Sequence, residues 1–261
     1  MDMLRIDLIK GLILDMDGVI WRGPDAIGNL SEIFLRFSER KWQITLATNN
    51  ATRTVAQYVN RLKSYGVNIE PWQVINSAMV VAQYLHTQFP QGGPIFLIGE
   101  AGVSESLHDF GFYHSEKQVL AVVASMDRQL TYDKLRTATL LIRSGALFIA
   151  TNPDRTYPAP EGLVPGAGSI LAALEAACYK SAIIAGKPSS AMYRIALERM
   201  GLTPEETLVV GDRAETDIAG AQLIGCKTAL VLSGVTSRED ALSWQPSPDL
   251  IINDLDGISR L

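Results

Sequence analysis

The chain reads Leu12-Ile13-Leu14-Asp15-Met16-Asp17-Gly18 near its start, so that three apolar residues stand directly before a pair of aspartates and a glycine. An apolar run of this length is too short for a helix and is typical of a strand that is buried on both faces. The amphipathic pattern of residues 31–40 follows and predicts a helix. A buried strand followed by a helix indicates a parallel sheet with crossover helices.

The alternation of short apolar runs with helical patterns continues after this first pair and resumes near the other end of the chain. Further strands are predicted at residues 44–47, 183–185, 207–210, 228–232 and 251–252, the last of them as an edge strand. Further helices are predicted at residues 54–65, 191–200 and 218–224. This order of elements predicts an α/β protein with a Rossmann-like parallel sheet.

The central segment of the chain has elements of its own. Strands are predicted at residues 95–98, 120–124 and 147–150, and helices at residues 133–144 and 169–177. A segment of about a hundred residues is long enough to enclose a separate core. We therefore predict a core domain of residues 1–78 and 181–261 and an inserted α/β cap domain of residues 79–180. The alternative is one continuous large α/β sheet.

Composition and charge narrow the classes of partner. The hydrophobic fraction of 47% and the charged fraction of 20% are ordinary for a soluble globular protein. A net charge of −5, without a basic stripe that carries interleaved aromatics, argues against a nucleic-acid polymer as partner. Since no apolar stretch approaches the roughly 20 residues that span a bilayer, we expect no membrane partner either.

The compartment is predicted from the N-terminus and the cysteines. The first residues lack the pattern of a signal peptide. Cys178 and Cys226 lie far apart in apolar surroundings, which predicts buried free thiols. Both features predict a cytoplasmic protein.

Polar side chains follow the ends of the predicted strands. The carboxyl ends of parallel strands meet along one edge of a sheet, where ligands bind, so residues far apart in sequence are expected to share one crevice. The residues concerned are Asp15, Asp17, Thr48, Asn49, Asn50, Lys187, Asp212 and Asp217.

The four aspartates of this set require a counter-charge. Two like charges 4 Å apart repel by about 4 kcal/mol at an effective dielectric constant of 20. Lys187 supplies one positive charge, which is too little for four acids, whereas a divalent cation would balance them. Because the ligands are oxygens, Mg²⁺ is favoured over zinc. The three histidines, all in the central segment, are expected at the surface or in packing contacts.

Each motif also has a purely structural interpretation. The Asp-x-Asp-Gly sequence could form a turn in which Gly18 has a positive φ, and Thr48-Asn49-Asn50 could cap a helix. Lys187-Pro188 could be a surface turn, and Asp212 and Asp217 could be loop or cap acids. The occurrence of all four motifs at successive strand ends favours a shared site.

Four motifs of the chain resemble those of the haloacid dehalogenase-like superfamily. They are Asp15-Met16-Asp17-Gly18-Val19, Thr48-Asn49-Asn50, Lys187-Pro188 and Gly211-Asp212-Arg213-Ala214-Glu215-Thr216-Asp217. The sequences Leu14–Gly23, Ala150–Asp154 and Gly162–Gly168 are similar to the branch of NagD-type nucleotide phosphatases and 4-nitrophenylphosphatases. The resemblance covers essentially the whole chain.

The resemblance implies a phosphomonoester hydrolase. In this family the residue that matches Asp15 attacks phosphorus and forms an aspartyl-phosphate, and the residue that matches Asp17 protonates the leaving oxygen and then activates water. The implied ligands of Mg²⁺ are the Asp15 carboxylate, the Asp17 backbone carbonyl and Asp212, with Asp217 beside them. The implied phosphoryl-binding residues are Thr48, Asn49 and Lys187, and Asn50 beside them in the sequence is expected to bind the substrate. A homodimer through the cap is also known in this branch.

The substrate is less constrained than the reaction. Nucleoside monophosphates, sugar phosphates, phosphoglycolate, pyridoxal phosphate and 4-nitrophenyl phosphate are all compatible with the motifs. Asn152 and Asp154 match a cap loop that points towards the active site in this branch, so we expect them to contact the substrate. Their alternative role is a turn around Pro153. A phosphotransferase that uses the same intermediate and a non-catalytic phospho-ligand sensor are the alternative functions.

Overall fold

The computed structural model describes residues 4–159 and 162–261, which form two compact units. The first unit contains the residues up to Thr48, Ala56–Ile75 and Pro188–Leu261. The second unit contains Asn49–Val55 and Asn76–Lys187. The second unit thus begins earlier and ends later than the predicted cap of residues 79–180, whose independence as a domain stays a prediction.

The helices and strands are as follows. The strands are β1 (Gly11–Leu14), β2 (Trp21–Arg22), β3 (Asp25–Ala26), β4 (Gln43–Thr48), β5 (Val74–Asn76), β6 (Gly93–Ile98), β7 (Phe112–His114), β8 (Ala121–Ala124), β9 (Leu147–Ala150), β10 (Thr156–Ala159), β11 (Gly162–Pro165), β12 (Ile183–Ile184), β13 (Thr207–Gly211), β14 (Lys227–Val231) and β15 (Leu250–Ile252). The α-helices are α1 (Leu30–Glu39), α2 (Val55–Ser64), α3 (Ser77–Gln88), α4 (Ala101–His108), α5 (Tyr132–Arg143), α6 (Ala167–Cys178), α7 (Ala191–Met200), α8 (Ala219–Gln222), α9 (Arg238–Ser243) and α10 (Leu255–Ser259). Short 3-10 turns cover Ile6–Leu8, Pro71–Gln73 and Pro204–Glu206, and a π-helical turn covers Ala214–Ile218.

The first unit is built on a six-stranded sheet in the order β15-β14-β13-β1-β4-β5. Strand β1 pairs in parallel with β13 on one side and with β4 on the other. All four of its residues are buried, as the short apolar run predicts. Leu14 is in register with both Val210 and Leu46, so these three strands end close to one another. The predicted α/β fold with a Rossmann-like parallel sheet is confirmed, and β15 is the predicted edge strand.

Helices of the first unit bury one face, as their sequence patterns predict. Helix α1 buries Leu30, Ile33 and Phe37, which recur at helical spacing, and the Asn29 side chain accepts a hydrogen bond from the backbone of Glu32 at its start.

The predicted helix at residues 218–224 differs from the observed structure. A π-helical turn comes first, and α8 then covers Ala219–Gln222.

The second unit has its own parallel sheet of five strands in the order β12-β9-β8-β6-β7. Buried residues of β6, β8 and β9 form a core with helices α5 and α6. The described strands therefore form two large sheets, and the alternative of one continuous sheet is wrong.

Strand β12 lies in a different sheet from the one its pattern suggests. The apolar pattern of residues 183–185 predicts a strand of the core sheet, but Ile183 and Ile184 pair with Ile149 and Ala150 of β9 in the second unit. The assignment of this strand to the core sheet is wrong. Two apolar residues are compatible with the edge of either sheet, and Ile184 packs against the core of the second unit.

Two further expectations concern single residues and membrane association. His86, His108 and His114 are exposed, and both cysteines are buried and free, as predicted. Within residues 4–159 and 162–261, no helix combines the length and the apolar character that a bilayer span requires.

Candidate active site

Three of the predicted aspartates lie together at one edge of the first sheet. Asp15 directly follows β1, Asp212 directly follows β13, and Asp217 lies in the π-helical turn after it. Each offers a carboxylate oxygen that lies within 4.8 Å of those of the other two. All three side chains are buried, with residue exposures of 9%, 1% and 2%. Parallel strands that end in register bring these residues together across about two hundred positions of sequence.

Backbone N–H groups orient two of these carboxylates. The Val235 N–H donates to Oδ2 of Asp212 at 2.7 Å, and the Arg213 N–H donates to Oδ2 of Asp217 at 3.0 Å. The Asp212 carbonyl also accepts a hydrogen bond of 3.1 Å from the backbone of Thr236. Charge-assisted bonds of this kind fix the direction of a buried carboxylate.

The loop of residues 233–236 was missed by the sequence analysis. It follows β14, so its position at a strand end was a usable signal, but it carries no acid. Its contact with the Asp212 carboxylate comes from the backbone of Val235 and from Gly234. A side chain at Gly234 would collide with the Asp212 carboxylate.

A second glycine makes room for the same carboxylate. Gly18 has a φ of +91°, and a Cβ atom there would lie 2.6 Å from Cγ of Asp212. The positive φ confirms the turn geometry expected of the Asp-x-Asp-Gly sequence. The backbone at Gly18 and at Gly234 therefore lies close to the Asp212 carboxylate, and no side chain at either position occupies the space around it.

The donor set of this cluster fits a hard divalent cation. The grouped ligand atoms are carboxylate oxygens of Asp15, Asp212 and Asp217. Three buried acids repel one another, and Mg²⁺ binds carboxylate oxygens and relieves that repulsion.

Asp17 is half-buried and is held by an aromatic side chain. The indole Nε1 of Trp21 donates to Oδ1 of Asp17 at 3.0 Å, and the backbone N–H of Gly18 donates to the Trp21 carbonyl at 2.8 Å. The hydroxyl of Ser233 donates to the Gly18 carbonyl at 2.7 Å. These bonds tie the Asp-x-Asp-Gly turn to the loop after β14 and to the β2 hairpin, in which β2 pairs antiparallel with β3.

The remaining core motif residue is Thr48. It is the last residue of β4 and is 1% exposed. Its position at the carboxyl end of a strand that pairs with β1 agrees with the sequence prediction.

Asn49 and Lys187, both in the second unit, are joined by a pair of hydrogen bonds. The Lys187 N–H donates to Oδ1 of Asn49 at 2.8 Å, and Nδ2 of Asn49 donates to the Lys187 carbonyl at 3.0 Å. Both residues are buried. The side-chain amide of Asn49 thus bonds to both the N–H and the carbonyl of Lys187.

The cap loop that follows β9 contacts Asn49 as well. Nδ2 of Asn152 donates to the Asn49 carbonyl at 2.8 Å, and Nδ2 of Asn49 donates to Oδ2 of Asp154 at 3.2 Å. Oδ1 of Asn152 accepts from the Asp154 N–H at 3.1 Å, which is the local turn that was the alternative interpretation of this loop. Turn formation and contact with a motif residue therefore coexist here.

Asn50 makes a local turn. Its Oδ1 accepts from the Thr52 N–H at 3.1 Å and from the Thr52 hydroxyl at 2.7 Å. This pattern is an Asx turn, in which the side chain stabilises the loop between β4 and α2. A role of Asn50 in substrate binding stays a prediction.

Comparison with known proteins gives matches over both units. Residues 12–113 match the family model described as haloacid dehalogenase-like hydrolase, and residues 184–258 match a model described as HAD-hydrolase-like. An acid sugar phosphatase of Staphylococcus aureus is 33% identical over 247 residues, which are 94% of this chain and 95% of that protein.

Solved structures of relatives give the same picture. A 4-nitrophenylphosphatase from Thermotoga maritima superposes with a TM-score of 0.92 at 32% identity, and the match covers 98% of each chain. A glycerol phosphate phosphatase from Mycobacterium tuberculosis, solved in complex with magnesium, superposes with a TM-score of 0.90 at 31% identity. That match covers 98% of this chain and 79% of the relative.

Proposed function

The chain belongs to the haloacid dehalogenase-like hydrolase family and is a phosphatase of small phosphorylated substrates, and we propose that Asp15 is its nucleophile. The observation that carries this proposal is the buried group of Asp15, Asp212 and Asp217 at the ends of adjacent parallel strands. A carboxylate in such a group can attack phosphorus in line, which divides a slow hydrolysis into two faster steps.

The proposed reaction has two steps. In the first, an oxygen of Asp15 forms a bond to phosphorus while the bond to the leaving oxygen breaks, and Asp17 gives its proton to that oxygen. In the second, a water molecule attacks the phosphorus of the aspartyl-phosphate, Asp17 takes up a proton of this water, and inorganic phosphate leaves with Asp15 restored. The hydrogen bond from Trp21 supports this role because it fixes the carboxylate of Asp17.

We assign Mg²⁺ to the carboxylate cluster. Its ligands would be the carboxylates of Asp15 and Asp212 and the backbone carbonyl of Asp17, with Asp217 as a further carboxylate of the cluster. Bound there, the ion would neutralise charge on the transferring phosphoryl group. The magnesium complex of the glycerol phosphate phosphatase relative supports this assignment.

Thr48 and Lys187 are the proposed ligands of the phosphoryl oxygens. Both are motif residues, and both are buried, with exposures of 1% and 3%. A lysine ammonium stabilises the charge that phosphoryl transfer places on these oxygens. A role of Asn50 in substrate binding is likewise a proposal.

The names of the relatives support a proposal for the substrate class. Their names specify sugar phosphate, 4-nitrophenyl phosphate and glycerol phosphate, so we propose a small polyol or sugar phosphomonoester. We propose that Asn152 and Asp154 recognise the non-phosphate part of the substrate. Transfer to an acceptor other than water is the second candidate, but a residue able to activate water is present at Asp17, which favours hydrolysis. A homodimer through the cap and a cytoplasmic location stay predictions.

The mechanism is tested by trapping the intermediate. Asp17→Asn should release about one nitrophenolate per enzyme from 4-nitrophenyl phosphate and then stall, because water is no longer activated. Mass spectrometry of the quenched protein should place one phosphoryl group on the peptide that contains Asp15. Asp15→Asn should abolish both the burst and the label, with turnover reduced on the order of 10⁴-fold or more. A label on another residue would refute the nucleophile assignment.

A further inference from the structure

The hydrogen bonds of Asn49 determine what its side chain can do. A side-chain amide has two N–H donors and one carbonyl oxygen. Nδ2 of Asn49 donates to the Lys187 carbonyl at 3.0 Å and to Oδ2 of Asp154 at 3.2 Å, and Oδ1 accepts from the Lys187 N–H at 2.8 Å. Both donors are therefore engaged within the second unit, and the amide has no hydrogen left for a phosphoryl oxygen.

The orientation of this amide is fixed by its partners. The oxygen faces an N–H group, and the nitrogen faces a carbonyl and a carboxylate. A flipped amide would place oxygen against oxygen at two contacts and nitrogen against nitrogen at the third. The exchange of two hydrogen bonds with one residue is the pairing that neighbouring strands use, so it fixes the backbone of Lys187 as a strand partner would.

The backbone on either side of Lys187 is also restricted. The Gly186 N–H donates to the Thr151 carbonyl at 2.8 Å, and a Cβ atom at Gly186 would lie 2.6 Å from Oδ1 of Asn49. Pro188 follows, with its φ fixed by the ring. The glycine allows the amide to approach, and the amide then holds the one residue between glycine and proline.

Asn49 is itself held from the opposite side. Its carbonyl accepts hydrogen bonds from Nδ2 of Asn152 at 2.8 Å and from the Ser77 hydroxyl at 2.7 Å. Asn49 and Ser77 are 7% and 0% exposed. A buried network of this kind is rigid, and each member is costly to remove.

We propose that Asn49 is a positioning residue that fixes the backbone of Lys187, and that it does not bind the phosphoryl group through its side chain. The inference rests on the proposed function in one respect, namely that Lys187 binds the phosphoryl oxygens. Asn49 then contributes to catalysis only through Lys187. This changes the role that the resemblance implied for Asn49.

A double-mutant cycle separates the two roles. Asn49→Ala, Lys187→Ala and the double variant are compared by kcat and KM for 4-nitrophenyl phosphate and by the inhibition constant of inorganic phosphate. Asn49→Ala should lower kcat/KM at least tenfold in the wild-type background. In the Lys187→Ala background the same change should cost less than threefold, because the group through which Asn49 acts is absent.

The outcomes are distinguishable. Losses that multiply would overturn the inference, since Asn49 would then contact the phosphoryl group independently of Lys187. Wild-type kcat/KM in Lys187→Ala would overturn both the inference and the proposed role of Lys187. A burst of nitrophenolate in Asp17→Asn tests the chemistry separately from either.

A second variant guards against loss of folding. Asn49→Ser retains a small polar side chain in this buried position, and thermal unfolding is recorded for every variant. The cycle with this variant should show the same non-additivity. The matched surface control is Asn253→Ala, which lies in the first unit outside the motifs and should leave kcat/KM unchanged.

Discussion

Trp21 donates the hydrogen of its indole Nε1 to Oδ1 of Asp17 over 3.0 Å. Its ring is fully buried and lies parallel to Tyr58, with an interplanar angle of 3° and centroids 6.3 Å apart. The guanidinium carbon of Arg61 lies 3.9 Å from the centroid of the indole ring. A ring packed by two neighbours in this way presents its N–H in one direction, so the Asp17 carboxylate is fixed by a rigid donor.

Replacing Trp21 should affect substrates according to their leaving groups. Trp21→Phe retains an aromatic ring and removes the donor, so the proposed acid loses its orientation. An alkoxide must be protonated as it leaves, whereas nitrophenolate needs no proton. We expect kcat/KM for glycerol phosphate to fall about tenfold more than kcat/KM for 4-nitrophenyl phosphate.

The matched control for this variant is Trp42→Phe. Trp42 is another buried tryptophan of the first unit, and its ring packs against Phe37. It should leave the ratio of the two kcat/KM values unchanged. Equal losses on both substrates in Trp21→Phe would show that Trp21 serves only the stability of the β2 hairpin.

Removal of metal should abolish turnover. EDTA should stop the hydrolysis of 4-nitrophenyl phosphate, and Mg²⁺ should restore it. Calcium should restore it less well, because the larger ion takes more ligands and would hold the reacting atoms out of line. Normal turnover of the metal-free protein would contradict the assignment of Mg²⁺ to the carboxylate cluster.

Binding of Mg²⁺ should also raise thermal stability. An ion that binds only the folded state stabilises it by about 2.7 kcal/mol at a concentration of 100 Kd. This upward shift of the unfolding temperature should disappear in Asp212→Asn and persist in Asp133→Asn, an exposed acid of α5. A shift of equal size in both variants would indicate binding elsewhere.

The thiol of Cys226 should resist alkylation in the folded protein. Burial, assisted by the negative charge of Glu205, raises the pKa of this thiol to about 12 from an ordinary 9.0. Because the thiolate is the reactive form, iodoacetamide at pH 8 should label Cys226 far more slowly in the folded than in the unfolded protein. Peptide mass mapping separates it from Cys178, and equal rates in both states would contradict the burial.

The same raised pKa affects stability at high pH. The folded state favours the protonated thiol, so this contribution to stability is complete below about pH 9 and is lost as the pH rises towards about 12. Cys226→Ser removes the titrating thiol and should reduce the loss of thermal stability between these pH values.

The sheet edge was predictable because two local patterns coincide. The apolar runs of β1 and β13 are each followed directly by an acid, and parallel strands must end on the same side. The approach of Asp15 to Asp212 also requires that β1 and β13 are neighbours, which is a feature of the structure. The loop of Gly234 and Val235 was missed because it acts through backbone atoms, which leave no distinctive residue type in the sequence.

The partner of Asn49 was not predictable for a related reason. A Thr-Asn-Asn sequence after a strand is compatible with helix capping, with phosphate binding and with support of a distant backbone. Only the tertiary structure brings Asn49 to Lys187, which lies 138 positions further along the chain. The sheet of β12 was misassigned on the same grounds, since two isoleucines do not encode their partner.

Substitutions of Asp154 should distinguish between two roles of this residue, contact with the substrate and support of Asn49. It is half-buried and accepts a hydrogen bond from Nδ2 of Asn49 at 3.2 Å. The proposed specificity role predicts that Asp154→Ala changes kcat/KM among bulky phosphomonoesters by at least tenfold, about 1.4 kcal/mol, and leaves 4-nitrophenyl phosphate within a few-fold of wild type.

The conservative variant Asp154→Asn keeps the side chain's size and an acceptor oxygen for Asn49, so it should preserve the hydrolysis of 4-nitrophenyl phosphate. It removes the negative charge, so it should alter substrate preference. A uniform loss in Asp154→Ala at unchanged thermal stability, restored in Asp154→Asn, would show that Asp154 acts through Asn49 on Lys187. A uniform loss of kcat/KM with lowered thermal stability would instead show that Asp154 only stabilises the turn that it forms with Asn152 and Pro153. Disruption of this turn would affect the hydrolysis of every substrate alike.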